Sequence, residues 1–223
     1  MEVELLLPFL KLKSDRPFVI STWAQSIDGM LSQIRGKPTA ISCPESLRLT
    51  HAIRSLSDGI LVGVSTIIFD NPSLSCRYEH ATKQPRPIIL DSTLKIPTDA
   101  QVCTRKPIIF TTQNYNQLKF TELIQKGCEI VILEHDQECV PIHHVLSYLK
   151  IHYQMNTLMV EGGPRILDSF KDYSDLFIIT IAPKLFGGGV PLTNPLSQMK
   201  TIEFDDVLWQ TFGKDSVMIA SRT

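Results

Sequence analysis

The stretch Thr157-Leu158-Met159-Val160-Glu161-Gly162-Gly163-Pro164-Arg165-Ile166-Leu167 decides the fold of this chain. Its first four residues are apolar or β-branched, as is typical of a buried strand. Two glycines then turn the chain, and Pro164 opens a helix at a position where its missing N–H costs little. A strand that passes through a glycine turn into a helix presents backbone N–H groups to an anion. Taken alone, the segment is either a phosphate-binding joint or an ordinary connection between a strand and a helix.

A second joint of the same kind lies upstream. The all-apolar run 60–62 predicts a short strand, Gly63 turns it, and a short helix is expected from Thr66 to Asp70. The Thr66 hydroxyl can cap this helix or bind a phosphate oxygen, and Asp70 can accept a ribose hydroxyl or remain a solvated acid. Two such joints favour ligand binding over a coincidence of packing.

The order of the other segments predicts one α/β domain, residues 16–223, with residues 1–15 forming an arm or a first helix. Strands are expected at 18–24, 60–62, 87–90, 107–111, 130–133, 157–160 and 176–182, and helices between them at 43–57, 66–70, 116–125, 141–150 and 164–171. This alternation predicts a mostly parallel sheet. A strand is also expected at 215–221 with no crossover helix before it, so an antiparallel pairing at the sheet edge is expected.

Two local signals complete the predicted elements. Ser42-Cys43-Pro44-Glu45 fits a capping box, with a serine to take a first-turn N–H and a glutamate three residues later. The glycine-rich loop 184–189 either closes over a ligand or lets the chain reverse.

Composition excludes several classes of function. The chain has 223 residues and a formal net charge of −1, which offers no basic field for nucleic acid. No apolar run approaches the roughly 20 residues of a membrane span, and the first residues lack the cationic region of a signal peptide. The expected location is therefore the cytoplasm. The five cysteines are scattered without a C-x-x-C pair, so reduced thiols are expected and no metal site.

The chemistry-bearing residues suit the binding of a dinucleotide beside a phosphorylated substrate. Gly-x-Ser-x-Gly, H-E-x-x-H, the P-loop lysine motif and the G-x-G-x-x-G fingerprint do not occur in the sequence. What remains is the two glycine joints, Arg54 and Arg77 near the first joint, and Glu161 at the second.

Four segments carry a resemblance to a known family. They are 24–29 (Ala-Gln-Ser-Ile-Asp-Gly), 57–74 with its Gly63 joint and Asp70-Asn71-Pro72, 86–91 (Arg-Pro-Ile-Ile-Leu-Asp), and 160–164. Together they resemble the pyrimidine reductases of riboflavin biosynthesis, most of all the stand-alone fungal 2,5-diamino-6-(ribosylamino)-4(3H)-pyrimidinone 5′-phosphate reductases. The resemblance covers roughly residues 17–190, in the family's order. It implies a fold similar to dihydrofolate reductase, NADPH as cofactor and a homodimer formed through the C-terminal strands.

The resemblance also implies roles for individual residues. NADPH is expected at Thr66, Asp70, Gly162, Gly163, Pro164, Arg165 and Ile166, with Ala24 and Gly63 on the nicotinamide side and Ser92 and Val140 on the adenosine side. The phosphorylated aminopyrimidine is expected at Arg54, Leu74, Arg77 and Glu161.

The implied reaction is hydride transfer to C1′ of the substrate ribose. The aminoribose ring can open to an imine, whose carbon accepts the hydride and whose nitrogen takes up a proton, and this gives a ribityl chain. Arg54 and Arg77 are expected to grip the 5′-phosphate, because planar guanidinium groups suit that task. Glu161 is the candidate to hold the pyrimidine amino groups and to handle the imine proton, with Asp28 as the alternate. For either acid, the alternative is a carboxylate that caps a helix or braces a loop.

Two other functions stay open from the sequence. A pterin or folate reductase on the same scaffold requires a buried acid early in the first helix, where this chain offers Glu45. A non-catalytic nucleotide-binding protein is the third interpretation. The choice between NADPH and NADH is also open, because no arginine is clearly placed for a 2′-phosphate.

Overall fold

The computed structural model describes residues 4–133, 139–192 and 201–222. The strands are β1 Phe18–Ser26, β2 Met30–Ser32, β3 Gly59–Gly63, β4 Arg86–Leu90, β5 Ile108–Thr111, β6 Glu129–Ile132, β7 Thr157–Val160, β8 Leu176–Ala182, β9 Val190–Pro191, β10 Asp206–Phe212 and β11 Asp215–Ser221. The helices are α1 Pro44–Leu56, α2 Val64–Asp70, α3 Gln117–Gln125, α4 Ile142–Tyr153 and α5 Pro164–Phe170, with short 3₁₀ turns at Leu7–Phe9 and Gln101–Arg105.

One 9-stranded sheet organises the chain, in the order β10-β11-β8-β1-β7-β3-β4-β5-β6. From β8 to β6 all neighbouring strands are parallel, whereas β11 pairs antiparallel with β8 and β10 antiparallel with β11. This confirms the predicted single α/β domain with antiparallel strands at its C-terminal edge. The sequence interpretation missed β10, so β11 lies one strand inside the edge. It also missed β2 and β9, which form a separate 2-stranded sheet.

Helices cover both faces of the sheet, because alternate residues of each strand point to opposite sides. On one face, Leu61 and Leu158 pack with α4 and α5. On the other face, Ile60 and Val62 pack against α2, α3 and the 3₁₀ turn at Gln101–Arg105, and Met159 packs against α1. The continuous apolar runs of β3 and β7 thus reflect burial on both faces, as expected for central parallel strands.

The N-terminal segment is an arm rather than a helix. Its only regular turn in the described part is Leu7–Phe9, and the first three residues lie outside the described range. Leu6 is fully buried against the α1 side of the sheet. Arg16 then binds both carboxylate oxygens of Asp175 at 2.6 and 2.7 Å, which fixes the chain where it enters β1.

The predicted capping box at the start of α1 is wrong. The N-cap residue is Cys43, and its side chain makes no capping bond. The cap comes instead from β11: Asp215 accepts the Cys43 N–H at 2.7 Å and the Ser46 hydroxyl at 2.5 Å. A carboxylate is a stronger acceptor than the serine hydroxyl predicted there, and it is placed by tertiary structure rather than by local sequence.

Candidate active site

The two glycine joints lie side by side at the carboxyl edge of the sheet. They follow β3 and β7, which are adjacent and parallel, with Leu61 opposite Val160. The Glu161 N–H donates to the Leu61 carbonyl at 2.9 Å and extends this pairing into the turn. The joints also touch, because a Cβ placed on Gly63 would lie 2.8 Å from Ile166 Cγ1. The structure therefore places the two turns in direct contact.

The turn after β7 has the geometry of a cradle. Gly162 adopts φ +150°, a conformation that side-chain-bearing residues rarely take. Gly163 is the N-cap of α5, and a Cβ on it would meet no atom within 4 Å. Pro164 begins the helix and Arg165 is exposed. The backbone of this turn thus faces open space in which a ligand can approach closely.

The turn after β3 differs in detail from its prediction. Helix α2 begins at Val64, two residues earlier than predicted, with Gly63 as N-cap. Thr66 is partly buried in the first turn, and Asp70 is the exposed last residue. Since they are four residues apart, both side chains lie on one face of α2.

Three other predicted cofactor residues occupy different environments. Ala24 lies near the end of β1, opposite Thr180 of β8. Ser92 follows β4 at the same carboxyl edge, and its carbonyl accepts the Thr112 hydroxyl at 2.8 Å. Val140 is buried in the core beside α4, so its side chain contributes to packing.

Arg54 and Glu161 form a bidentate ion pair. Arg54 Nε lies 2.9 Å from Oε1 and Nη2 lies 2.7 Å from Oε2, and their side chains are only 14% and 19% exposed. Arg54 Nη1 donates to the Ser75 carbonyl at 2.8 Å. Burial is the largest influence and lowers the pKa of Arg54, but the Glu161 charge and hydrogen bonds raise that pKa above its ordinary value. Arg54 is thus committed to Glu161 rather than to an open phosphate site.

The segment 73–77 is held by side chains from elsewhere in the chain. Arg105 donates to the carbonyls of Ser73 and Leu74, and Gln84 pairs with both the N–H and the carbonyl of Cys76 at 2.8 Å. Leu74 has φ +52° and its side chain is buried in the core, so only its backbone faces outward. Sequence reasoning missed Arg105 and Gln84, because single polar residues in a loop or a short 3₁₀ turn form no pattern.

Arg77 is exposed beside a cleft of about 370 Å³. The cleft is lined by Pro44, Leu47, Arg48, His51, Arg77, Tyr78 and Glu79. His51, which sequence reasoning also missed, contacts Arg77 and lies one helical turn before Arg54. His51 and Arg54 therefore lie on the same side of α1, with His51 in the lining of the cleft and Arg54 bound to Glu161.

Asp28 braces the glycine-rich loop. Its carboxylate accepts the Ser26 hydroxyl at 2.6 Å and the N–H groups of Phe186 and Gly187 at 3.2 and 2.9 Å. The Ser26 bond, followed by those N–H groups, holds the pKa of Asp28 below its ordinary value. This arrangement matches the loop-bracing alternative and does not suit a proton donor.

Glu45, the acid that the pterin alternative requires, is exposed at the start of α1. The described residues contain no cluster of three or more potential metal ligands, and the five cysteines are free, with only Cys139 exposed. Within the same residues, no helix has the length and apolar character needed to cross a membrane.

Comparison with known proteins gives concordant matches. The family model described as the RibD C-terminal domain matches residues 17–218. The chain is 32% identical to the 2,5-diamino-6-ribosylamino-4(3H)-pyrimidinone 5′-phosphate reductase of Candida glabrata, over 96% of this chain and 95% of that protein. It is 36% identical to the riboflavin biosynthesis protein RibD of Aquifex aeolicus over 82% of this chain, but it spans only 51% of that longer protein.

Solved structures agree on the fold. The riboflavin biosynthesis reductase Rib7 of Saccharomyces cerevisiae superposes with a TM-score of 0.78 at 27% identity, covering 98% of this chain and 97% of that one. Dihydrofolate reductase of Enterococcus faecalis superposes with a TM-score of 0.56 at 13% identity, covering 95% and 99% of the two chains. The second likeness shows a shared fold only.

Proposed function

The chain belongs to the RibD C-terminal domain family, and on that premise we propose that it reduces the ribosylamino side chain of a diaminopyrimidinone 5′-phosphate to the ribitylamino form, with NADPH as the hydride donor. The observation that carries the proposal is the pair of touching glycine joints with the Arg54–Glu161 pair at one of them. Parallel α/β sheets bind their ligands at this carboxyl edge.

The residues around the joints fit a dinucleotide. The open space in front of Gly163 and the unusual backbone of Gly162 admit a pyrophosphate close to the main chain. Thr66 and Asp70, on one face of α2, supply a hydroxyl and a carboxylate for phosphate and ribose groups. When bound, NADPH supplies a hydride.

Glu161 is proposed to hold the pyrimidine. Both of its oxygens already accept from Arg54, but each carboxylate oxygen has a second lone pair for an amino group of the substrate. Arg54 fixes the orientation of the carboxylate, and its bond to Ser75 ties it to the 73–77 segment. The protein's task is then to align the substrate C1′ with the donor at about 3–3.5 Å and to exclude water.

The ion pair favours a holding role for Glu161 over proton transfer. Glu161→Gln keeps the size of the side chain but leaves the partly buried Arg54 without its counter-charge, and replaces one acceptor oxygen by a donor. We expect kcat/KM to fall by about 10²-fold or more, since the variant loses charged hydrogen bonds on both sides. A variant with near wild-type kinetics removes Glu161 from the site.

The reaction itself is tested by an assay that monitors the oxidation of NADPH through its absorbance. The purified protein is assayed with the ribosylamino-pyrimidinone phosphate, with dihydrofolate, and without substrate, and each arm is repeated with NADH. The proposal expects turnover only in the first arm and faster turnover with NADPH. Turnover with dihydrofolate, or cofactor binding without any turnover, would instead support one of the two alternative functions.

We also propose a homodimer. The family resemblance implies association through the C-terminal strands, and β10 is the outer strand on that side of the sheet. Trp209 and Val207 on this strand are 55% and 46% exposed. Unpaired edges with large exposed apolar groups are typical of contact surfaces.

A further inference from the structure

One face of α1 points toward the segment 73–79 and carries His51 one turn before Arg54. His51 is one of the residues that line the cleft described above. The single acid of the cleft, Glu79, is ion-paired with Arg48 across the cleft. Arg77 forms no ion pair with any carboxylate in the part of the chain that the structure describes. The cleft therefore holds one positive charge that its own residues do not neutralise.

The hydrogen bonds of His51 fix which ring nitrogen carries the proton. The backbone N–H of Arg77 points at Nδ1 over 3.1 Å, so Nδ1 accepts and the hydrogen of the neutral ring is on Nε2. Arg77 Nη2 lies 3.3 Å from Nε2. Both of these nitrogens are then donors, so they cannot bond each other. Two adjacent donors of this kind suit a shared acceptor such as a phosphate oxygen.

The groups around the ring also keep it uncharged. Burial is the largest influence, followed by the charges of Arg54 and Arg77, and together they lower the pKa of His51 to about 4 despite the opposing charge of Glu161. The remaining polar neighbours are Arg48, Glu79 and Tyr78 in the cleft and Cys76, whose thiol donates to the His51 carbonyl at 3.1 Å. His51 is thus a neutral donor throughout the physiological range.

We propose that His51 Nε2–H and the Arg77 guanidinium together bind the phosphate of the substrate, with His51 acting as a neutral donor. The inference rests on the proposed function for the identity of the ligand, but the anion site itself does not depend on reduction. The proposal also gives the two arginines different roles. Arg54 is occupied by Glu161 and Ser75, so the phosphate falls to Arg77 and His51.

Sulfate is the probe for the anion site, because it keeps two negative charges at every pH used. Nitrogen-15 NMR of the histidine rings, with the His51 signals assigned by their loss in His51→Gln, is expected to show a neutral ring protonated at Nε2. Sulfate is expected to shift these signals. A neutral donor takes up no proton, so the dissociation constant of sulfate should change by less than about twofold between pH 8 and pH 6.

Two substitutions separate the two ring nitrogens. His51→Asn keeps an acceptor near Nδ1 for the Arg77 N–H but lacks the distal donor, whereas His51→Gln places an amide donor near Nε2. His51→Asn is expected to weaken sulfate about tenfold and to raise KM for the phosphorylated substrate by a similar factor, with a much smaller effect on kcat. His51→Gln should retain most of the wild-type sulfate affinity and a KM near that of the wild type. His143→Asn, on the distant helix α4, is the control and should behave as wild type.

The possible results distinguish the anion site from the proposed reaction. Sulfate affinity in His51→Asn equal to wild type, no sulfate-induced shift of the His51 signals, or a threefold or larger gain in affinity at pH 6 with proton uptake would overturn the inference. Sulfate binding as expected, in a protein that never oxidises NADPH, would keep the anion site and refute the proposed reaction. Turnover with unchanged KM in His51→Asn would refute the role of His51 and leave the reaction standing.

Discussion

Replacing Gly63 with alanine should push the two glycine joints apart. The new Cβ would lie 2.8 Å from Ile166 Cγ1 and 2.9 Å from Cδ1, whereas ordinary contacts begin at 3.4 Å. Gly63 has φ −82°, so alanine fits its backbone and only this contact opposes the change. Rotation about χ2 can move Cδ1, but Cγ1 moves only with χ1, which is stiff for a β-branched residue in a helix such as α5. The turn at 162–165 must therefore shift by roughly 0.5–1 Å, a distance that matters for ligand alignment.

The expected effect has two parts. Overpacking of this size costs about 1–3 kcal/mol of the free energy of unfolding, which lowers the melting temperature by roughly 2–4 °C for each kcal/mol in a chain of this length. The displaced turn should weaken NADPH binding by about tenfold, which corresponds to about 1.4 kcal/mol. Thermal unfolding measures the first part and a fluorescence titration with NADPH measures the second.

Two further variants test the cause. Gly163→Ala adds a methyl group where no atom lies within 4 Å, at φ −80°, so stability should change by less than about 0.5 kcal/mol while the methyl group enters the proposed cofactor space. Ile166→Ala removes both clashing atoms, whereas valine would keep a γ-carbon. Gly63→Ala should therefore lower the free energy of unfolding by less in the Ile166→Ala background than in the wild type. Full additivity, or wild-type stability in Gly63→Ala, would refute the reasoning.

Three other substitutions test the support of the 73–77 segment, the opposite edge of the sheet and the proposed dimer contact. Arg105→Met removes the donors that hold the Leu74 carbonyl, so KM for the substrate should rise about tenfold with a smaller change in kcat, and Arg105→Lys should recover part of that loss. Asp58 has a pKa held below its ordinary value: burial, the largest influence, raises it, but bonds from a lysine and two N–H groups lower it by more. Its contribution to stability is present above the ordinary value of 3.8 and is lost as the pH falls below it, so Asp58→Asn should be less stable than wild type at pH 6 and differ less at pH 3 in urea titrations. Trp209→Glu should yield monomers in sedimentation at micromolar concentration, while Ile151→Glu, at an even more exposed apolar site on α4, should not; a dimeric Trp209→Glu would exclude β10 from the interface.

The parts of the fold that the sequence predicts are those set by local periodicity. Strands β7, β8 and β11 have the predicted bounds, because apolar runs between turn residues give a clear signal. The 3-residue β2 and 2-residue β9 have too few residues to show a period. β10 alternates weakly because it lies at an edge and most of its residues are exposed. What the sequence cannot supply is the partner of a segment whose own pattern is weak.

The same limit applies to the site. The glycine joints are local, so both were predicted, and parallel pairing of their strands places them together. The Arg54–Glu161 pair joins residues 107 positions apart, and the cap of α1 joins residues 172 positions apart. No spacing rule links such residues. The sequence therefore could not predict that Arg54 is bound to Glu161 or that Asp28 braces a loop.

These long-range contacts explain how an irregular segment can form part of a precise site. The backbone groups of 73–77 are bound by Arg54 at Ser75, by Arg105 at Ser73 and Leu74, and by Gln84 at Cys76. Planar guanidinium groups hold carbonyl oxygens in fixed directions, which a flexible lysine would not do. The segment therefore does not depend on its own hydrogen bonds for its shape. Arg54 also links it to Glu161, so that the proposed pyrimidine and phosphate contacts are kept at a constant distance before any ligand arrives, and little ordering remains to be done on binding.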